Sequence, residues 1–590
     1  MHAKDNRNSL SSRRSIGLIA DWFDEPYQLQ SLQFTEAAAH QRGACLMSFP
    51  GGIPGSDKRS SNYRQAAFDL VGSDSVHGAI LLAGTMVNEI GSKALEPLLS
   101  QLSGVPLCSV GVDVSNVPSI VIDNRTGIEQ ALKHLVEGHG CQRVAFIRGP
   151  VLNMEAESRF TAYQEALERA GMLFDEALVY NGDFLRASGE LAAQHWLESQ
   201  TLPDAIIAAN DEMALGALDA LTAADVRVPE EVKLIGFDDI EAARHANPPL
   251  TTVRQPSRDM MVTAVRTIMD QVQGRQVSQT QMLQTHLVVR ESCGCEMLLT
   301  STGQGQHAES SPVTMNATDD FKALLMQREQ TINLEFARAA RGEFSSSPGW
   351  QMRLLGAFTE EVIGNDQAFV RVFRQLVKDT ANSGADVARW HDVISGLRRL
   401  AIPCAAARNE QRALAEDLLQ QARLVTANAV ERAQAKKRFD LERFMRTLTD
   451  VSGALAASYG LQDLSECIHH QLPRLGITAC YLAVHEPFTF DREESADASR
   501  CVVAYDKNVP VPGARGSVFP TREVGPAELW PPERLYHFSV LPLFLKGRSM
   551  GYALLECRSG KGTVIEVVRE QLSVALFGAL LHNNAPAKNP

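Results

Sequence analysis

Between Ser15 and Cys295, short apolar runs alternate with longer stretches in which apolar residues recur every three or four positions. The short runs are rich in β-branched residues and are bounded by polar residues, which is typical of strands buried on both faces. Buried strands that alternate with amphipathic helices predict parallel sheets covered by helices on both sides. The predicted strands cover residues 15–20, 44–49, 78–82, 106–110, 119–122, 143–147, 205–208, 233–237 and 285–290.

The helices predicted between these strands cover residues 125–137, 159–170, 187–198 and 214–223. The strands are too many for one small sheet, and the alternating pattern starts again near Arg143. The pattern therefore predicts a two-lobed α/β module over residues 15–295, preceded by a disordered tail over residues 1–14.

The chain then changes character. Residues 296–316 are polar and rich in Gly and Ser, which predicts a flexible linker. Residues 317–407 repeat apolar side chains at helical spacing, which predicts a small helical bundle. The repeating positions are Trp350, Leu354, Leu355, Phe358, Val362, Phe369, Phe373, Leu376, Val377, Trp390, Ile394 and Leu397.

A long connecting helix is predicted over residues 408–460. Its last part places apolar residues three and four positions apart, at Leu441, Phe444, Leu448, Val451 and Leu455. This spacing fits a helix that packs against the core of its own chain, and it also fits a parallel coiled coil between two protomers. The spacing alone leaves both alternatives open.

Residues 461–583 mix helices and strands and end before a short tail over residues 584–590. The predicted order is helix 464–475, strands 479–485, 501–505, 536–544 and 550–557, and helix 566–581. The last two strands form a predicted hairpin that turns at Lys546, Gly547 and Arg548. This α-β-β-β-α order is similar to that of GAF sensor domains, so we expect an α+β, GAF-like domain.

Composition places the chain among soluble globular proteins, with 44% hydrophobic and 22% charged residues. The net charge of −13 argues against broad binding to phosphate backbones, which needs clustered Lys and Arg. The first 20 residues lack the apolar core of a secretory signal, and no stretch approaches a membrane span. Because the ten cysteines are scattered, we expect a reducing, cytoplasmic compartment and no membrane partner.

Polar residues stand where predicted strands of the second lobe end. Asp238 follows the strand KLIGF, and Asn210 lies just beyond the strand AIIAA. Arg159 is predicted to open a helix, from which its rigid guanidinium offers five donors. Ligands of open α/β sheets bind at the carboxyl ends of strands, and saccharides need such fixed donors and acceptors beside an aromatic face.

The module resembles the ligand-binding core of the lactose/galactose repressor (LacI/GalR) family over residues 15–292. The resemblance is carried, in the family's order and spacing, by VIDNRTGIEQALKHLVEGHGCQRVAFIRGP, ESRFTAYQEALERAG, AIIAANDEMALGALDAL, VPEEVKLIGFDDIEAARHANPPLTTVRQP and LVVRESC. It implies a type I periplasmic-binding-protein-like fold with parallel sheets, a sugar or nucleoside-like ligand, and lobe closure on binding.

The resemblance also implies roles for individual residues. Arg159, Asn210 and Asp238 match the family's polar ligand contacts in the second lobe. The remaining expected ligand contacts are Phe184, where the family places an aromatic ring, and Asp21, Trp22 and Phe23 after the first strand.

Five of these seven residues also have a structural alternative. Asp238 and Asp239 could cap the following helix, and Asn210 with Asp211 could form a turn and helix start. Arg159 could make a surface salt bridge. Trp22 and Phe23 could pack the lobe.

Cys293-Gly294-Cys295 raises the question of a metal site, which would need two further ligands. The nearest histidines along the chain are His286 and His307, and they form no second compact pair. We therefore expect no metal and no cofactor. His391 with Asp392, and Cys467 with His469 and His470, are interpreted in the same way as surface or helix residues.

The resemblance also identifies features that the sequence lacks. Family repressors begin with a helix-turn-helix of roughly 60 residues, whereas only Met1–Arg14 precede the first strand here. We therefore expect no DNA binding by the family's usual route. Walker, GGDEF and kinase motifs are missing from the sequence, so we expect a non-enzymatic, homodimeric sensor that acts through a separate output protein.

Three alternatives remain open. The locally basic stretch over residues 432–446 could bind DNA directly, although a solvated helix face explains it as well. A transport-type solute receptor and an inert scaffold are the other two.

Overall fold

The computed structural model describes residues 14–53, 64–88, 91–295, 321–340, 344, 348–364, 368–405, 409–489, 496–531, 533–557 and 562–584. The predicted linker 296–316 and nearly all of both predicted tails lie outside these residues. The chain divides into two compact units, one formed by residues 1–296 and 447–590 and the other by residues 297–446.

The first lobe contains a parallel sheet in the order β11-β5-β4-β3-β1-β2. All of its strands except β11 are buried along most of their length because apolar side chains occupy both faces, against helices on either side. The strands are β1 (Ser15–Ala20), β2 (Cys45–Pro50), β3 (Gly78–Leu81), β4 (Leu107–Val110), β5 (Ser119–Ile122) and β11 (Thr280–Leu283). The helices are α1 (Pro26–Gln41), α2 (Ala83–Met86), α3 (Glu96–Gln101) and α9 (Ser257–Val272).

The second lobe contains six strands in the order β12-β10-β9-β8-β6-β7, parallel except for the antiparallel pair of β10 and β12. They are β6 (Val144–Arg148), β7 (Val179–Asn181), β8 (Ala205–Ala208), β9 (Lys233–Asp238), β10 (Thr251–Arg254) and β12 (His286–Val288). The helices are α4 (Asn124–Lys133), α5 (Met154–Arg169), α6 (Arg186–Glu198), α7 (Asp211–Ala223) and α8 (Glu241–His245).

The nine predicted strands of the module are confirmed, with ends that agree within about two residues. Strands β7, β10 and β11 were missed because they are short and half-polar. The chain passes between the lobes after β5, after β10 and after β11. These three connections lie close to one another and form a hinge, about which the two lobes can rotate. The predicted type I periplasmic-binding-protein-like fold is confirmed.

The carboxyl-terminal part contains an antiparallel sheet in the order β17-β18-β13-β14-β15, with β16 beside β14. Lys546 and Gly547, both with positive φ, form the two-residue turn between β17 and β18, as predicted. The strands are β13 (Ile477–Glu486), β14 (Ala498–Asp506), β15 (Val509–Pro510), β16 (Val518–Pro520), β17 (His537–Leu545) and β18 (Arg548–Cys557). The helices are α16 (Leu461–Gln471) and α17 (Gly562–Asn584). The GAF-like assignment stays a prediction.

This sheet continues the sheet of the first lobe, which the sequence patterns did not predict. Strand β17 pairs in parallel with β2, so the strands of the first lobe and those of the carboxyl-terminal part form one 12-stranded sheet. At the junction, which we call the seam, the Ser48 hydroxyl lies 3.0 Å from Nε2 of His537 and 2.9 Å from the Ser539 hydroxyl. All three side chains are buried. One hydrophobic core contains residues from both sides of the seam, among them Met47, Phe49, Tyr481 and Phe538.

The helical unit has its own hydrophobic core. All of the periodic apolar positions predicted for this region are buried, from Trp350 to Leu397. Trp390 lies at the centre, stacked on Phe344 at a ring-centroid distance of 4.3 Å, and its indole donates to the Thr380 hydroxyl. The helices are α10 (Phe321–Gln327), α11 (Glu329–Ala340), α12 (Trp350–Val362), α13 (Phe369–Asn382) and α14 (Arg389–Ala401).

The predicted long helix is confirmed as α15 (Asn409–Ala456). Of its periodic apolar residues, Val451 and Leu455 are buried, whereas Leu441 is 62% exposed. The basic residues between 432 and 446 are exposed and are interleaved with acidic ones such as Asp440. Among the described residues, no helix combines the length and apolar character needed to cross a membrane.

Candidate ligand-binding site

A cavity of about 740 Å³, including its mouth, lies between the two lobes of the module. Six of the seven predicted contacts line it: Asp21 and Trp22 from the first lobe, and Arg159, Phe184, Asn210 and Asp238 from the second. Phe23 is not among the lining residues, and its side chain is buried in the hydrophobic core.

Arg159 is the buried cation of this cavity. The expectation that it opens a helix was wrong, because α5 begins at Met154 and Arg159 lies more than one turn inside it. Its Nε donates to the side-chain oxygen of Asn124 at 2.8 Å, and its Nη1 donates to the carbonyl of Ala209 at 2.6 Å. The guanidinium also lies 3.8 Å from the ring centroid of Phe237. A side chain that is 3% exposed and held in this way is not a surface salt-bridge residue.

Asp238 is the last residue of β9, and its carboxylate lines the cavity. Its Oδ1 accepts a hydrogen bond of 2.5 Å from the Gln255 amide. Burial raises the pKa of this carboxyl to about 7, although the positive charge of Arg159 acts in the opposite direction. Helix α8 has no side-chain cap, so neither Asp238 nor Asp239 serves as one. Asp239 instead makes ion pairs with three arginines, Arg244, Arg254 and Arg290.

Asn210 serves both the helix and the cavity. Its side-chain oxygen accepts from the backbone N–H of Met213 and caps α7, as the structural alternative predicted. Its amide nitrogen donates to the carbonyl of Phe184 at 2.8 Å. Phe184 has a φ of +71°, a left-handed conformation that non-glycine residues rarely adopt. Asn210 therefore holds Phe184 in a strained conformation at the cavity wall.

The first lobe contributes a second buried carboxylate. Asp21 is 1% exposed and accepts a hydrogen bond of 2.8 Å from the Thr85 hydroxyl, with the Gln28 amide nearby. Burial raises the pKa of Asp21 to about 6. Trp22 is half-buried and presents an aromatic surface to the cavity.

Several polar lining residues were missed from the sequence, among them Glu155 and Gln255. Oε1 of Glu155 and Oε1 of Gln255 are buried without a hydrogen-bond partner among the described residues, and Oε1 of Glu155 lies 3.9 Å from Nη2 of Arg159 in an ion pair. Glu155 stands one helical turn before Arg159, a spacing that places both on one face of α5. Gln255 directly follows β10, one of the strands that the apolar pattern did not reveal. Both unsatisfied oxygens can accept hydrogen bonds from a ligand.

The two lobes also touch directly at the cavity wall, which Gly84 and Asn88 line. The Asn153 amide donates to the carbonyl of Gly84 at 2.8 Å and to the side-chain oxygen of Asn88 at 2.7 Å. Asn153 also caps α5, whereas Gly84 and Asn88 belong to the first lobe. These hydrogen bonds join the lobes across the mouth of the cleft.

The expectation that Cys293 and Cys295 have no second pair of ligands nearby was wrong. His134 and His139 lie beside them, although more than 150 residues separate the two pairs in the chain. His286, the nearer candidate in sequence, is exposed on β12, and His307 lies outside the described residues.

Comparison with known proteins decides the family. Residues 132–293 match the family described as periplasmic binding protein-like domain. The HTH-type transcriptional repressor PurR of Haemophilus influenzae (strain PittEE) is 30% identical over 267 residues, which make up 45% of this chain and 75% of PurR. The chain belongs to the LacI/GalR family.

Other LacI/GalR relatives match the same half of the chain. The HTH-type transcriptional regulator CelR of Thermobifida fusca is 40% identical over 202 residues, 33% of this chain. The chain spans 59% of the length of that relative. A solved structure described as a transcriptional regulator CelR-cellobiose complex is 32% identical and covers 48% of this chain and 86% of its own, with a TM-score of 0.41. The family match and the identity to PurR confirm the predicted LacI/GalR-type ligand-binding domain.

Proposed function

We propose that this protein is a sensor in transcription regulation whose cleft binds a small, neutral, polyhydroxylated ligand, a sugar in preference to a nucleoside. The observation that carries the proposal is the polar lining of the cavity. Acceptor oxygens of Asp21, Glu155, Asp238 and Gln255 face a single fixed cation, Arg159. Sugar hydroxyls donate to such acceptors, and Trp22 and Phe184 offer aromatic surfaces to the C–H faces of a ring.

Charge narrows the class of ligand further. The cavity is bordered by one buried carboxyl group, Asp21, and two half-buried ones, Glu155 and Asp238, against one buried guanidinium. A phosphorylated sugar or a nucleotide would bring negative charge next to these groups, and the burial of like charges is costly. A neutral ligand avoids that cost and satisfies Oε1 of both Glu155 and Gln255.

A thermal-unfolding screen of the full chain tests this proposal. A ligand that binds the folded state raises the unfolding midpoint as its concentration rises. Neutral mono- and disaccharides are expected to raise it, whereas their phosphorylated forms at equal concentration are not. A midpoint raised by the phosphorylated sugars alone would contradict the proposed ligand class. A midpoint that no sugar or nucleoside changes would favour an inert scaffold.

Lobe closure supplies the conformational change, since the ligand contacts both lobes and favours the form in which they meet. Asn88→Ala removes an interlobe hydrogen bond and leaves Asn153 as the cap of α5. We expect this variant to bind its sugar about fivefold more weakly, because one hydrogen bond contributes about 1 kcal/mol. Calorimetric titration measures the change. Asn181→Ala, at an exposed position of β7, is the control and should bind as the unaltered protein does.

The conformational change that the ligand causes is transmitted to the carboxyl-terminal domain. We retain the GAF-like interpretation of that domain. Two contacts support this route. The seam joins β2 of the first lobe to β17 of that domain. A Cβ atom at Gly562, the first residue of α17, would lie 1.7 Å from the carbonyl oxygen of Phe23, so the two backbones are in close contact. Phe23 directly follows Trp22 at the cavity wall, which connects the cleft to α17.

Homodimer formation through α15 is part of the proposal. Phe439, Leu441 and Met445 are exposed by 60%, 62% and 54%, and they lie within two turns of one helix. In a homodimer, a cysteine at position 441 is expected to crosslink two full-length chains with a short bismaleimide. Leu173→Cys is the control, because residue 173 is 94% exposed on the second lobe. Equal crosslinking of the two variants, or none at position 441, would contradict a dimeric helix.

A further inference from the structure

Four potential metal ligands converge on the surface of the second lobe. The Nε2 atoms of His134 and His139 and the Sγ atoms of Cys293 and Cys295 all lie within 4.8 Å of one another. Cys293 is fully buried, and the other three side chains are half-buried. The cluster is separate from the sugar cleft, and none of its members lines that cavity.

The spacing of these atoms matches a tetrahedral site. Zinc binds cysteine sulfur at about 2.3 Å and histidine nitrogen at about 2.0–2.1 Å, so its ligand atoms lie roughly 3.3–3.8 Å apart. Nε2 of His134 lies 3.3 Å from Sγ of Cys293 and 3.6 Å from Sγ of Cys295. Nε2 of His139 lies 3.3 Å from Sγ of Cys295 and 3.3 Å from Nε2 of His134. Four of the six ligand pairs thus have the separations that one zinc ion imposes.

The backbone conformation at the histidine pair and at the cysteine pair brings these four atoms together. His134 begins a π-turn, His134–Gly138, at the end of α4, and His139 is the first residue after it. Gly294 adopts a φ of +91°, which lets the two cysteines on either side turn toward the same point. A Cβ atom at position 294 would lie 3.5 Å from Nδ1 of His139, so the glycine also fits closely against that ring.

The surroundings also suit a metal. The Thr251 hydroxyl lies 3.1 Å from Sγ of Cys293, where it can donate to a thiolate, and such outer contacts orient metal ligands. Two cysteines and two histidines select zinc or another thiophilic ion over magnesium or calcium.

We propose that His134, His139, Cys293 and Cys295 form a structural zinc site. All four coordination positions would be filled by protein, which is the pattern of structural zinc sites and leaves no place for a substrate. Cys295 is the last described residue before the segment at 296–320, so the site ties the carboxyl end of the module to α4. Zinc thereby fixes the point at which the chain leaves the sensor for the helical unit.

Metal analysis of the full chain tests this site with zinc itself as the probe. After dialysis against zinc and then against buffer, the protein is expected to retain about one zinc ion per chain. Cobalt in place of zinc should give the intense visible absorption of a tetrahedral site together with thiolate-to-metal charge-transfer bands. The cobalt spectrum uses the unaltered protein, so it does not depend on whether any variant folds.

Variants identify the ligands. Cys293→Ser with Cys295→Ser is expected to lose at least nine tenths of the bound zinc, and His139→Gln to lose most of it. Cys467→Ser replaces a half-buried cysteine outside the cluster and should retain the metal. Failure of the unaltered chain to retain zinc, cobalt spectra without thiolate bands, or equal zinc in the double variant would each overturn the proposal. A disulfide between Cys293 and Cys295 in protein purified under reducing conditions would overturn it as well.

Discussion

Asp238→Asn is expected to stabilise the ligand-free protein at pH 8 and to weaken sugar binding by about 10- to 100-fold. The loss of affinity follows from removal of a charged acceptor in the cleft, since hydrogen bonds to charged groups contribute about 1.5–3 kcal/mol. The gain in stability follows from the pKa of Asp238, which burial raises to about 7 in the folded protein from an ordinary value of 3.8.

The gain in stability on replacement of Asp238 by asparagine should depend on pH. Between about pH 4 and pH 7 the unfolded chain releases the Asp238 proton more readily than the folded chain does, so ionisation increasingly favours unfolding. Above pH 7 the ionised Asp238 destabilises the folded protein to the full extent, and replacement by asparagine removes this destabilisation. We expect a gain of about 1–2 kcal/mol at pH 8, because the half-buried carboxyl retains part of its hydration. Near pH 4 the gain should vanish.

Denaturant unfolding at pH 4, 6 and 8 measures this effect. Asp183→Asn is the matched control, because Asp183 also borders the cavity but is exposed. It should change stability by only a small amount, because the side chain is exposed. A pH-independent effect of Asp238→Asn, or a loss of stability at pH 8, would show that the carboxyl is ionised without cost in the folded protein.

Gly562→Ala is expected to destabilise the protein by about 1–3 kcal/mol, the usual cost of overpacking a tight contact. The added methyl group would lie 1.7 Å from the carbonyl oxygen of Phe23, and two backbones must separate to admit it. Since Phe23 follows the cleft residue Trp22, the variant should also weaken the effect of ligand on the carboxyl-terminal domain.

Gly578→Ala in the same helix is the control. No atom lies within 4 Å of a Cβ built at this position. A helix-interior alanine in open space is favoured over glycine by up to about 1 kcal/mol, so this variant should be slightly more stable. Thermal unfolding of both variants provides the measurement. Equal stability of the two would mean that α17 does not press against Phe23 in solution.

Much of the module could be predicted from sequence because short stretches of sequence determine its individual strands and helices. Apolar runs between polar residues identify buried strands, and Arg159, Asn210 and Asp238 follow from their stretches and from the family resemblance. Strand β10 was missed since Thr251 and Thr252 interrupt its apolar run. Gln255, at its end, was missed with it.

Contacts between distant segments could not be predicted in the same way. The pairing of β2 with β17 depends on which sheet edge meets which, and the sequence of His537–Leu545 is compatible with any neighbouring strand. The convergence of His134 and His139 on Cys293 and Cys295 depends on how α4 packs beside β10 and β12. Phe23 was assigned to the ligand by its position after β1, whereas its side chain turns into the core.

Hydrogen exchange of the full chain, with and without the sugar that raises the unfolding midpoint most, tests the central claim most directly. Ligand-driven closure predicts slower exchange in residues 21–28, 84–88 and 153–159, which meet across the cleft. Transmission through the seam and Phe23 predicts a further change in residues 537–545 and 562–570. Unchanged exchange in all three cleft segments, under conditions where the sugar is bound, would contradict the account.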